Sequence, residues 1–124
     1  MAETQHALQR LSNDYRTLQG QLQDKITGRQ TLESQVAENR SVLAELSKAT
    51  SNNTVYKLIG PVLMPQDLQE AKQNVARRIE LLQQELDKAE LTIRTVQEQQ
   101  NSVRLSIIKL QQESEGAPGQ AVSA

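Results

Sequence analysis

Two runs of apolar residues at helical spacing, nearly equal in length, flank a segment that breaks the pattern. That segment is Thr54-Val55-Tyr56-Lys57-Leu58-Ile59-Gly60-Pro61-Val62-Leu63-Met64-Pro65. It is rich in strand formers on both sides of a Gly-Pro pair. A chain of this kind has to bury two long helical stripes and an apolar hairpin at once, which leaves few folds open.

The first run starts at Leu8 and continues through Leu11, Tyr15, Leu18 and Leu22, then Leu32, Val36, Leu43 and Leu46. Written as heptads, nine of the twelve a and d places from Leu8 to Leu46 are apolar, the exceptions being Lys25, Arg29 and Asn39. Spacing sustained over this length is the coiled-coil signal. It predicts a helix over about 4–49. Gly20 and Gly28 lie inside it at roughly 1 kcal/mol each relative to alanine, which leaves room for local fraying or bending. Thr50-Ser51-Asn52-Asn53 ends it, because these side chains compete for backbone hydrogen bonds. Lys48 suits the negative end of the helix dipole.

The second run is Leu68, Val75, Ile79, Leu82, Leu86, Ala89, Ile93, Val96, Val103, Ile107 and Leu110, with only Lys72 and Gln100 polar among its a and d places. It predicts a helix over about 66–113, with Asp67 and Glu70 in the first turn. Residues 116–124 have no apolar period and read as a disordered tail. Equal stripes joined by a short connection favour an antiparallel pair, so Leu8 is expected near Leu110 and Leu46 near Lys72 or Val75. The polar seam residues have two readings. Lys25 and Arg29 either carry their charges out of the seam or mark a local shift to Ile26. Asn39 and Gln100 either fix the register or are tolerated imperfections of a thin coil.

Between the stripes, Val55–Ile59 and Val62–Met64 read as strands about a Gly60-Pro61 turn. An isolated hairpin is marginal in water. This one is apolar on both faces, Val55 and Ile59 pointing one way and Tyr56 and Leu58 the other, and it has two unpaired edges. Seven of its side chains (Val55, Tyr56, Leu58, Ile59, Val62, Leu63 and Met64) would contribute on the order of 10–20 kcal/mol gross if buried, at roughly 1.5–3 kcal/mol each. That can exceed an association cost of about 4–15 kcal/mol. The alternative is a hairpin folded onto its own coil, which offers little apolar surface beyond its seam. Assembly is the favoured expectation.

Composition narrows the function classes. The chain has 124 residues, no Phe, Trp or Cys, two Tyr and a net charge of −1. A thick aromatic core, disulfides and thiolate metal sites are excluded. The charges are interspersed without a basic run, which argues against nucleic acid. No stretch reaches a membrane span and the N-terminus carries no apolar signal segment, so a cytoplasmic protein is expected. His6 is the lone histidine, no phosphate-binding Gly-Lys-Ser/Thr motif is present, and no carboxylate pair is set apart. No catalytic, metal or cofactor residue is assigned and no enzyme is expected. Near the C-terminal end Val103, Leu105, Ile107, Ile108 and Leu110 crowd together. Leu105 and Ile108 fall off the seam, as exposed apolar side chains able to bind other apolar chains. Leu81 and Leu91 are off the seam as well, so chance clustering is the competing reading.

The hairpin Val55-Tyr56-Lys57-Leu58-Ile59-Gly60-Pro61-Val62-Leu63, continuing into Gln66-Asp67-Leu68, resembles that of prefoldin β-type subunits, and among those the subunit 6 group. Gly28-Arg29-Gln30, Leu32-Glu33, Gln35 and Glu38-Asn39 add to the resemblance, which covers about residues 5–115. A single hairpin separates the chain from α-type subunits. Pro65 departs from the pattern and is expected to shorten the second strand. The resemblance implies a mainly α fold: a long antiparallel two-helix coiled coil over residues 1–115, whose central hairpin joins an intersubunit β-barrel. It implies a heterohexamer of two α-type and four β-type subunits that holds unfolded polypeptides without ATP, notably actin and tubulin chains. These clients pass to the cytosolic chaperonin. On this chain Val55, Tyr56, Leu58, Ile59, Gly60, Pro61, Val62, Leu63 and Met64 would form the assembly hairpin. Leu8, Leu11, Leu105, Ile107, Ile108 and Leu110 would line or flank a client-holding tip. The competing class is a coiled-coil adaptor or scaffold without holding activity.

Overall fold

The computed structural model describes residues 2–50 and 52–115; the tail expected at 116–124 lies outside them. The element order is α1 (Ala2–Lys48), β1 (Val55–Ile59), β2 (Val62–Gln66) and α2 (Leu68–Glu115). The chain is therefore mainly helical, with two long helices and one central antiparallel hairpin. Helix α1 runs without interruption through Gly20 and Gly28, and nothing lies within 4 Å of where a β-carbon would stand at either.

Local chemistry sets the element ends. At the close of α1, Thr50 and Asn53 tie a turn: Asn53 N–H donates to the Thr50 carbonyl at 2.9 Å, and Thr50 N–H donates to Asn53 Oδ1 at 2.8 Å. Asp67 is the cap of α2, its Oδ2 accepting from the Glu70 N–H at 3.0 Å, which satisfies one of the orphan donors of the first turn.

The hairpin register pairs Ile59 with Val62, Leu58 with Leu63, Lys57 with Met64, Tyr56 with Pro65 and Val55 with Gln66. Gly60 has φ 59°. Proline fixes φ near −65°, so Gly60-Pro61 forms a two-residue turn of type II′, with glycine first. The expected shortening of β2 by Pro65 does not occur; β2 continues through Pro65 to Gln66. The reason is the register. The turn makes Ile59 and Val62 a bonded pair, and bonded and non-bonded pairs alternate along an antiparallel ladder. Tyr56 and Pro65 therefore form a non-bonded pair, and β1 asks nothing of the proline nitrogen.

The residues up to Thr27 and those from Glu90 onward form one compact unit; Gly28–Ala89 form a second. The core of the first is Leu22, Ile93 and Val96, with Leu18 and Ile26 packed against it. Lys25 is exposed while Ile26 is half-buried, so the seam steps from Leu22 to Ile26 and the charge leaves it. Gln100, 9% exposed, donates through Nε2 to Gln19 Oε1 on the opposite helix. With Leu22 packed on Val96, this pair places the helices of this unit antiparallel. Asn39 makes no such link; its Nδ2 donates to the Gln35 carbonyl of its own helix at 2.7 Å.

In the second unit Val36, Ala71 and Leu86 are buried, and Arg40 Nη2 reaches Gln83 Oε1 across the helices at 3.4 Å. Arg29 Nε lies 3.4 Å from Glu33 Oε1 yet meets no hydrogen-bond geometry. That pair is an ionic contact within one helix, of the kind worth about 0.3–0.5 kcal/mol.

The Gln100–Gln19 bond yields a first expected result. Gln100→Leu should raise stability by roughly 1 kcal/mol in urea unfolding, because an aliphatic side chain replaces a half-satisfied amide. Gln19 is exposed and can return to water. A fall in stability would show that the pair contributes more than the burial it displaces.

Candidate assembly and client surfaces

The structure leaves the hairpin without a core of its own. Leu58 is 66% exposed and Leu63 61%, and Tyr56, Ile59, Val62 and Met64 are also exposed. The pleat and register place Val55, Lys57, Ile59, Val62, Met64 and Gln66 on one face, and Tyr56, Leu58, Leu63 and Pro65 on the other. Both faces thus carry large apolar side chains in water, and both outer edges have unpaired backbone groups. Exposed apolar area of this density marks a binding surface. Gly60 and Pro61 contribute through the turn, by holding the two strands in this register.

An open groove of about 520 Å³ lies between the hairpin and the helices of its own unit. Four consecutive β1 residues, Val55 to Leu58, line it, facing Val42, Leu46, Ala71 and Val75. The sequence reading did not include these helix residues. Val42 was the readable signal, an apolar residue off the heptad seam close to the end of α1. Ala71 is buried beside a predicted seam position and gave no signal.

The residues expected at the tip all belong to the first unit. Leu11 and Leu110 line one shallow groove of about 270 Å³, one turn from the expected pairing of Leu8 with Leu110. Leu8, Leu11, Ile107 and Leu110 are half-buried, as seam residues should be. Leu105 and Ile108 face out, 52% and 36% exposed. The six therefore divide into four that hold the helices together and two that are free to touch another molecule. Leu91, in the same unit, is exposed as well, and so is Leu81 in the other.

Among the described residues no group of His, Cys, Asp or Glu could hold a metal ion, and no helix is long and apolar enough to cross a membrane.

Known proteins share this arrangement. The profile of the prefoldin subunit family matches residues 9–114. Prefoldin subunit 6 of Bos taurus and that of Homo sapiens are each 38% identical, over 98% of this chain and 100% of theirs. The crystal structure of the prefoldin beta subunit from Thermococcus strain KS-1 superposes with a TM-score of 0.77, covering 82% of this chain and 89% of that one at 21% identity. That structure shares the fold, two long helices about a hairpin. With a profile spanning nearly every described residue and relatives aligned end to end, the chain belongs to the prefoldin subunit family of chaperones.

Proposed function

We propose that this chain is a β-type subunit of a heterohexameric prefoldin of two α-type and four β-type subunits. It acts in the cytoplasm, holding unfolded polypeptides without ATP and delivering them to the cytosolic chaperonin. Actin and tubulin chains are the expected clients. Residues 1–115 form the prefoldin domain in this reading. The observation that carries it is the hairpin, apolar on both faces and open on both edges. Val55, Tyr56, Leu58, Ile59, Val62, Leu63 and Met64 enter a β-barrel shared between subunits, and Gly60-Pro61 shapes the turn. Burial of these side chains offsets the entropy of association, and ladder hydrogen bonds fix the geometry.

Client holding is assigned to Leu105 and Ile108, with Leu8, Leu11, Ile107 and Leu110 behind them. Each contact is weak, and several subunits acting on one client raise the overall affinity by multivalency. A chemically denatured client diluted into the assembled complex tests this. Aggregation should be delayed in proportion to the complex added, whereas an adaptor or scaffold would leave it unchanged. Leu105→Ser with Ile108→Ser should raise the amount of complex needed by roughly three- to tenfold, from the lost apolar area, without altering assembly. Unchanged suppression would move client binding off these two residues.

A further inference from the structure

The two outer edges of the hairpin are not equivalent. Because bonded and non-bonded pairs alternate, Tyr56 and Leu58 turn their backbone groups outward on the β1 side, and Leu63 and Pro65 do so on the β2 side. Pro65 has no N–H. A strand laid against β1 meets donors and acceptors at both outward residues; one laid against β2 meets a donor at Leu63 alone. The groove adds to this asymmetry, for it runs along β1, taking Val55 to Leu58 from that strand and only Gln66 from β2. Its apolar floor is Val42, Leu46, Ala71 and Val75, and its charged members are Lys57 and Arg78, with no acidic residue in the lining. Among the described residues neither cation has an ion-pair partner.

We propose that the outer edge of β1 is the principal docking edge, taking a β-strand of a neighbouring prefoldin subunit into this groove. That strand presents apolar side chains to Val42 and Val75 and an acidic side chain to Lys57 and Arg78. The inference rests on the assembly reading above and adds a direction to it. The neighbour on the β1 side is held along the whole strand. A neighbour on the β2 side is held near Leu63 only, and leaves first.

Backbone substitutions separate the edges. Leu58→Pro deletes an outward N–H of β1 but spares the bonds between β1 and β2, because Leu58 faces Leu63 in a non-bonded pair; Leu63→Pro does the same for β2. Leu58→Ala and Leu63→Ala account for the lost side chains. Incorporation into the complex is read by native mass spectrometry of the full chain mixed with its partner subunits. Amide exchange at Ile59 and Val62 verifies the hairpin in each variant. Leu58→Pro should incorporate roughly ten- to a hundredfold more weakly than Leu58→Ala, since a partner carbonyl is left buried and unpaired. Leu63→Pro should differ from Leu63→Ala by no more than about threefold. Equal penalties, or a larger one at Leu63, overturn the proposal. If all four variants incorporate like the unaltered chain, the assembly reading itself fails. Lys57→Glu with Arg78→Glu leaves the backbone untouched and should slow association, most strongly at low salt. A rate that holds or rises overturns the acidic partner.

Discussion

Leu58→Asp combined with Ile59→Asp should leave a helical chain that no longer assembles. In the lone chain both side chains are more than half exposed, so two carboxylates there stay in water and folding is not penalised. Both residues lie outside α1 and α2, and far-UV ellipticity should be unchanged. Assembly is a different matter. The proposed barrel would remove both positions from water, and an unpaired buried carboxylate costs several kcal/mol even after relaxation. Two of them, together with two lost apolar contacts, exceed the surplus that a standard interface leaves after association entropy. Sedimentation velocity should show the unassembled chain at concentrations where the unaltered protein is wholly in the complex. A persisting hexamer would place the subunit contacts outside the hairpin. The substitution also differs from the proline pair above, which removes single backbone donors and discriminates between edges; the aspartates test whether the hairpin enters an interface at all.

The parts of this fold that were legible in the sequence follow from periodicity. Leu22, Val36, Leu86, Ile93 and Val96 repeat at heptad spacing, and each is buried; a period of 3.5 admits little else over such lengths. Gly60 followed by Pro61 between strand formers fixed the turn, because only glycine takes positive φ cheaply at its first position. Two things escaped. Pro65 looked like the end of β2, because the bonding phase of a strand is set by the turn and the partner strand and is invisible in a local reading. The groove along β1 escaped because Val42, Ala71 and Val75 come together only once the hairpin lies against the helices of its unit. The exposed pair Leu105 and Ile108 was legible as off-seam, yet Leu81 and Leu91 share that property, and heptad position alone does not rank them.

Ile93→Ala should uncouple client holding from assembly. Ile93 is 4% exposed and packs with Leu22 and Val96 in the core of the unit that holds Leu105 and Ile108. Truncating a buried isoleucine costs about 2–5 kcal/mol. The low end is expected here, because among the described residues no side chain falls below 2% exposure and a thin seam relaxes readily around a void. Even about 2 kcal/mol is a roughly thirtyfold rise in the locally open population. Amide exchange in 2–27 and 90–115 should therefore accelerate by about that factor, while exchange at Val36, Leu86 and the hairpin changes far less, since that unit has its own buried residues. The complex should still form, and suppression of client aggregation should fall, because two open helices no longer present Leu105 and Ile108 on a common rigid surface. Ile93→Val, which removes a single methylene for about 0.5–1.5 kcal/mol, should lie between. If exchange rose equally in both units, one cooperative seam would run the whole length of α1 and α2. Assembly and client holding would then be linked through the stability of the coil, instead of being carried by separate parts of one chain.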